Sequence, residues 1–129
     1  MQGIIFLNIF AVSLKLKTMA VNIENIKSQM RKGFLEFCIL NIINSKEFYV
    51  SDIIEELKKA NLIVVEGTLY PLLMRLKNSG LLAYSWKEST QGPPRKYYTI
   101  TEEGKSVLAE LNTSWEEIKS SVELLKSNN

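Results

Sequence analysis

The sequence predicts a mainly α fold with one small β-hairpin and a long terminal helix, and three observations carry that prediction. Leu69, Leu72, Leu73 and Leu76 recur at i, i+3, i+4 and i+7, the spacing of one buried helix face. After Gly80 the period changes from helical to two, with Leu82, Tyr84 and Trp86 alternating with Ala83 and Ser85. Toward the end, Leu108, Leu111, Trp115, Ile118, Val122 and Leu125 are spaced three, four, three, four and three, a heptad seam. At 129 residues, 46% hydrophobic, with six glycines and three prolines, the chain suits one compact domain with a real core.

Each element has its own signal. From Asn22 to about Asn44, Ile23, Ile26, Met30, Phe34, Phe37 and Leu40 keep helical spacing, and the second half, apolar nearly all round, is expected to be buried. A break at Ser45 to Tyr49 precedes a short second helix striped by Val50, Ile53, Ile54 and Leu57, with Ser51 or Asp52 as its cap and Lys58 and Lys59 complementing its C-terminus. Residues 61–65 lead into the leucine-striped third helix, which stops at Ser79-Gly80 with glycine in its expected place. Two strands follow, joined by a loop of Glu88 to Pro94. The second strand contains RKYYTI, and one of Tyr97 and Tyr98 is expected in the core because neighbours on a strand face opposite ways. Thr101 caps the last helix, with Glu102 and Glu103 in its first turn.

Residues 1–18 stand apart. The apolar run from Ile4 to Leu14 is eleven residues broken by Asn8, short of the ~20 that span a bilayer, and its lysines, Lys15 and Lys17, follow it instead of preceding it as in a secretory signal. We expect Met19 as the start, residues 1–18 as a non-native or disordered extension, residues 19–100 as the main domain and 101–129 as a terminal helix and tail. Mass spectrometry of the native N-terminus tests the start.

Composition weighs against catalysis. Histidine is absent, which removes the commonest general base and metal ligand, and no nucleophile motif or phosphate loop occurs, so neither enzyme, metal nor cofactor is expected. Cys38 alone forms no internal disulfide, which fits a cytoplasmic protein; in the apolar run FLEFCILNII it reads as a packing residue. The net charge of +2 decides little, but residues 66–100 hold five cations against two acids while residues 101–129 hold six acids against three lysines. An anion would dock on the middle of the chain.

A helix pair with a short turn, followed by a hairpin, is the arrangement of a winged helix-turn-helix, whose second helix enters the DNA major groove. The leucines facing inward leave Gly67, Tyr70, Pro71 and Met74 outward, flanked by Arg75 and Lys77. Gly67 removes a side chain where backbone NH groups could approach a phosphate, and Pro71 is expected to lose no bond if the helix begins near Gly67.

The run Glu66-Gly67-Thr68-Leu69-Tyr70-Pro71, then Arg75-Leu76, Gly80-Leu81, Glu88-Ser89, Gly92, Arg95-Lys96-Tyr97-Tyr98, and Thr101 with Gly104, resembles the PadR family of bacterial transcriptional regulators over roughly Gln29 to Lys126. One departure is Val50, where many relatives have glycine. The resemblance implies a homodimeric repressor of double-stranded DNA that often responds to small aromatic compounds. In that reading Gly67, Thr68, Tyr70, Pro71, Arg75, Lys77, Arg95 and Lys96 meet DNA; Leu108, Leu111, Trp115, Ile118, Val122 and Leu125 pair two subunits; and Trp115, Met30 and Phe34 line an effector pocket. The rival readings are a winged-helix module that binds protein, and a small enzyme.

Overall fold

The computed structural model describes residues 2–128, with side chains described for 8–15 and from 22 onward. Contacts divide the chain into two compact units, Met1–Leu35 and Glu36–Asn129.

The first unit is built on helix α1, Gln2–Lys32. Residues 2–18, expected as a non-native or disordered extension, lie within this helix. With no proline and one glycine, they contain nothing that would stop a helix. The single helix expected from Asn22 to Asn44 is instead split. Gly33 ends α1, the Phe34 amide closes the turn onto the Arg31 carbonyl at 3.0 Å, and α2 resumes over Leu35–Ile43. Arg31 and Lys32 place positive charge at the C-terminal end of α1, where the helix dipole favours it.

In the second unit, α2 is followed by α3 (Val50–Lys59), α4 (Glu66–Asn78), the antiparallel hairpin β1 (Leu82–Ser89) and β2 (Gly92–Ile100), and α5 (Glu102–Ser127). The core takes Ile39, Leu40 and Ile43 from α2, Ile53 and Leu57 from α3, and Leu69, Leu73 and Leu76 from α4. Leu82 and Tyr98 add the hairpin and Leu108 adds α5. The inward stripe of α4 is thus the leucine stripe, with Leu72 half-buried at its edge. Phe48 forms an isolated bridge with Tyr98, through Phe48 N–H to Tyr98 O at 3.1 Å and Tyr98 N–H to Phe48 O at 2.7 Å, and extends the sheet by a short third strand. Tyr98 is the core member of the tyrosine pair. Burial, and then Tyr70 and Tyr84 nearby, push its hydroxyl pKa up.

Two local expectations need correction. Tyr49, not Ser51 or Asp52, is the N-cap of α3, and no side chain caps it. The hairpin turn is short: β1 runs to Ser89 and β2 begins at Gly92, so most of the expected loop belongs to the strands. Lys87 pairs Arg95 and Ser89 pairs Gly92, which leaves Pro93 and Pro94 opposite Glu88 alone as a bulge. Proline lacks the ladder N–H, and a bulge on an edge strand is where the fold tolerates it.

The signals at either end of the hairpin hold. Gly80, at φ 81°, takes the left-handed position after α4. The Gly104 amide donates to Thr101 Oγ1 at 2.9 Å, and Thr101 Oγ1 donates to the Gly80 carbonyl at 2.7 Å. One threonine therefore caps α5 and ties it to the end of α4.

Candidate nucleic-acid interface

Val65 is the N-cap of α4 in extended conformation, and the amides of Thr68 and Leu69 return to its carbonyl. Glu66 opens the helix with an acid at the positive end of its dipole. Pro71 lies two residues beyond Leu69, so the expectation that it loses no bond is corrected: Pro71 has no N–H for the Gly67 carbonyl one turn earlier. A Cβ built at Gly67 meets nothing within 4 Å. Gly67, Thr68, Tyr70, Pro71 and Met74 all lie exposed on the outer face of α4.

A cleft of about 380 Å³ opens beside this face. Glu66 and Tyr70 of α4 form one wall, Tyr49, Val50 and Ser51 at the head of α3 form another, and Trp86, Pro94, Arg95 and Lys96 of the hairpin close it. Both wing cations are braced by aromatic rings. The Arg95 guanidinium lies 4.8 Å from the Tyr49 ring centroid, and Tyr49 meets Tyr97 edge to face at 5.2 Å. The Lys96 ammonium lies 4.0 Å from the Tyr84 centroid and 5.5 Å from that of Trp86. Such contacts hold a long side chain in place while leaving its charge available to an anion.

The other cations of residues 66–100, the expected Arg75 and Lys77 and also Lys87, are engaged elsewhere. Arg75 forms a two-pronged pair with Glu36 of α2, so it pins α4 to α2. Lys77 lies 5.6 Å from the Tyr84 ring, against the hairpin and outside the cleft lining. Lys87 pairs with Glu47 and sits 5.0 Å over Tyr97, which fastens the hairpin to the segment before α3. The cleft thus brings together Tyr70, Arg95 and Lys96 of the expected set, and it adds Tyr49, Ser51, Glu66, Trp86 and Pro94, which sequence reasoning missed. The period-two spacing puts Trp86 on the face of Leu82 and Tyr84, but that spacing does not reveal that the outer half of the hairpin runs past the core.

Along α5 the heptad seam has two fates. Leu108 is 3% exposed inside its own chain, which corrects its assignment to an intersubunit contact, and Leu111 packs against the same core. Farther on, Ile118, Val122 and Leu125 are 48%, 44% and 68% exposed. Trp115 lies at the transition and is 37% exposed. Met30 and Phe34 belong to the first unit, Met30 on α1 and Phe34 just after it, and both are exposed. Cys38 is half-buried and its thiol pKa is raised by that burial, in keeping with a packing role. Among the described residues no helix is long and apolar enough to cross a membrane.

The profile of the PadR-like family of transcriptional regulators matches residues 39–110, from α2 into α5. The chain is 60% identical to a PadR-like transcription factor of known structure from Bacteroides fragilis, covering 78% of this chain and 98% of that one with a TM-score of 0.68. A PadR family regulator from Eggerthella lenta superposes over 88% of this chain and 99% of its own, with a TM-score of 0.80 at 29% identity. An uncharacterized protein of Lysinibacillus sphaericus is 31% identical over 102 residues, 77% of this chain and 94% of its own. By sequence and by fold, the chain belongs to the PadR-like family of transcriptional regulators, a family of regulators and not of enzymes.

Proposed function

We propose that the chain is a sequence-specific DNA-binding repressor, a homodimer in the cytoplasm, in which the outer face of α4 docks in the major groove and the wing follows the adjoining backbone. The observation that carries this reading is the shared cleft: Tyr70 of α4 and Arg95 and Lys96 of β2 line one opening beside the exposed Gly67–Thr68 turn. A hydroxyl, two braced cations and the N-terminal amides of a helix are the groups that position a protein on phosphates. The exposed outer half of the α5 seam supports a second copy of the chain as its partner, which would hold two α4 helices about one DNA turn apart, roughly 34–36 Å, over a near-palindromic site.

The test is the salt dependence of binding. Arg95→Ala combined with Lys96→Ala should weaken binding to every duplex and flatten the plot of log affinity against log salt by about one unit per lost phosphate contact. An unchanged slope in an anisotropy assay refutes the wing assignment. A small aromatic effector stacking near Trp115, Met30 and Phe34 between subunits belongs to the same proposal. It would release DNA only by favouring the non-binding geometry. A panel of planar aromatic compounds that leaves tryptophan emission unchanged in a Trp86→Phe background refutes it.

A further inference from the structure

Trp86 is 64% exposed on β1, at the mouth of the cleft and across the ladder from Lys96. An exposed indole offers a large apolar face with a polar N–H edge, a surface that a partner of matching chemistry can cover. The ring also has neighbours within the hairpin. Tyr84 meets it edge-on at 6.5 Å and 85°, and the Lys96 ammonium lies 5.5 Å from its centroid. The wing therefore presents an apolar plate and a cation side by side, in a cleft that Tyr70 of α4 also lines.

That pairing matches the repeat of a nucleic-acid strand, in which each anionic phosphate is followed by a deoxyribose with an apolar face. We infer that Trp86 is a DNA-contacting residue of the wing, packing its ring on the sugar face of the strand whose phosphates Lys96 and Arg95 neutralise. The inference rests on the DNA-binding reading and deepens it. Charge selects this occupant over an apolar protein partner: Lys96 lies against the ring, Arg95 lines the same cleft, and Glu66 is the single acid among the lining residues. A sugar contact is apolar and sequence-tolerant, so it contributes affinity without releasing counterions.

The two kinds of contact separate in one experiment on the full-length chain, with a fluorescein-labelled duplex carrying the DNA upstream of its own coding region as probe. Trp86→Ala should lower affinity by about tenfold at every salt concentration with the slope unchanged, the loss expected for one aromatic stacking contact. Trp86→Phe should recover most of that loss. Lys96→Ala should instead reduce the slope by about one. Tryptophan emission of the parent should change on adding the duplex, and Trp86→Phe should abolish most of that change. Far-UV circular dichroism and sedimentation establish that each variant is folded and in the parent's oligomeric state. A folded Trp86→Ala that binds like the parent overturns the inference alone, as does a variant whose only defect is loss of self-association. A parent that binds no duplex at low salt overturns the DNA-binding reading itself.

Discussion

Replacing Gly104 by alanine should destabilise the second unit although alanine is the better helix former. Gly104 lies in the first turn of α5, where a Cβ would fall 2.2 Å from the Leu81 carbonyl oxygen, 2.7 Å from Ile100 Cγ1 and 3.1 Å from the Leu81 carbonyl carbon. Ordinary contact begins near 3.4 Å, so backbone must withdraw by roughly 1 Å. That same carbonyl accepts from the Thr101 amide at 3.0 Å and from Thr101 Oγ1 at 3.1 Å, so moving it strains both bonds and the cap they support. Overpacking costs about 1–3 kcal/mol and two weakened hydrogen bonds about 1 kcal/mol each, against about 1 kcal/mol gained from helix propensity. The balance is a loss near 3 kcal/mol, or about 10–20 °C in Tm for a unit of this size. Thermal melts followed by circular dichroism measure it, with Gly92→Ala, whose Cβ meets nothing within 4 Å, as the control. A Gly104→Ala variant melting at or above the parent refutes the packing argument.

Gly67→Ala should separate folding from docking: with open space around the new Cβ it leaves Tm equal or raised, while DNA affinity in an anisotropy titration falls because the backbone no longer approaches phosphate as closely. Ile118→Glu should shift the chain from dimer to monomer in sedimentation without lowering helix content, since that side chain is nearly half exposed within its own subunit. Burial raises the Tyr98 pKa, so the folded state keeps a proton that the unfolded chain releases above its ordinary value of about 10. Its contribution is complete below pH 10 and is lost as pH climbs through the raised folded value; urea titrations at pH 8 to 11 should show a shallower alkaline decline in Tyr98→Phe than in the parent.

What the sequence revealed was local. The leucine stripe of α4, the stop at Gly80, the Thr101 cap and the opposite facing of Tyr97 and Tyr98 depend on neighbours within a turn or a pleat, and period and residue type express these directly. What it concealed was long-range or contextual. Arg75 looks like a groove cation until Glu36, 39 positions away, is seen to hold it, and the Lys87 pair with Glu47 spans 40 positions. Gly-Pro-Pro reads as a turn, and only the ladder shows that a bulge keeps both prolines in the strand. Of the cleft, Tyr70, Arg95 and Lys96 were legible from their motifs. Trp86 was not, because strand alternation reports a face and not how far the core beneath it extends.

The proline bulge has a consequence for assembly. A two-stranded sheet carries an outer rim that invites a strand from another molecule, and long flat rims are how β-proteins stick to one another. Along Pro93 and Pro94 the rim has no amide protons to offer and is bent out of line. Strand pairing with another molecule is therefore discouraged at the tip of the wing, which keeps this ribbon free of edge-to-edge aggregation.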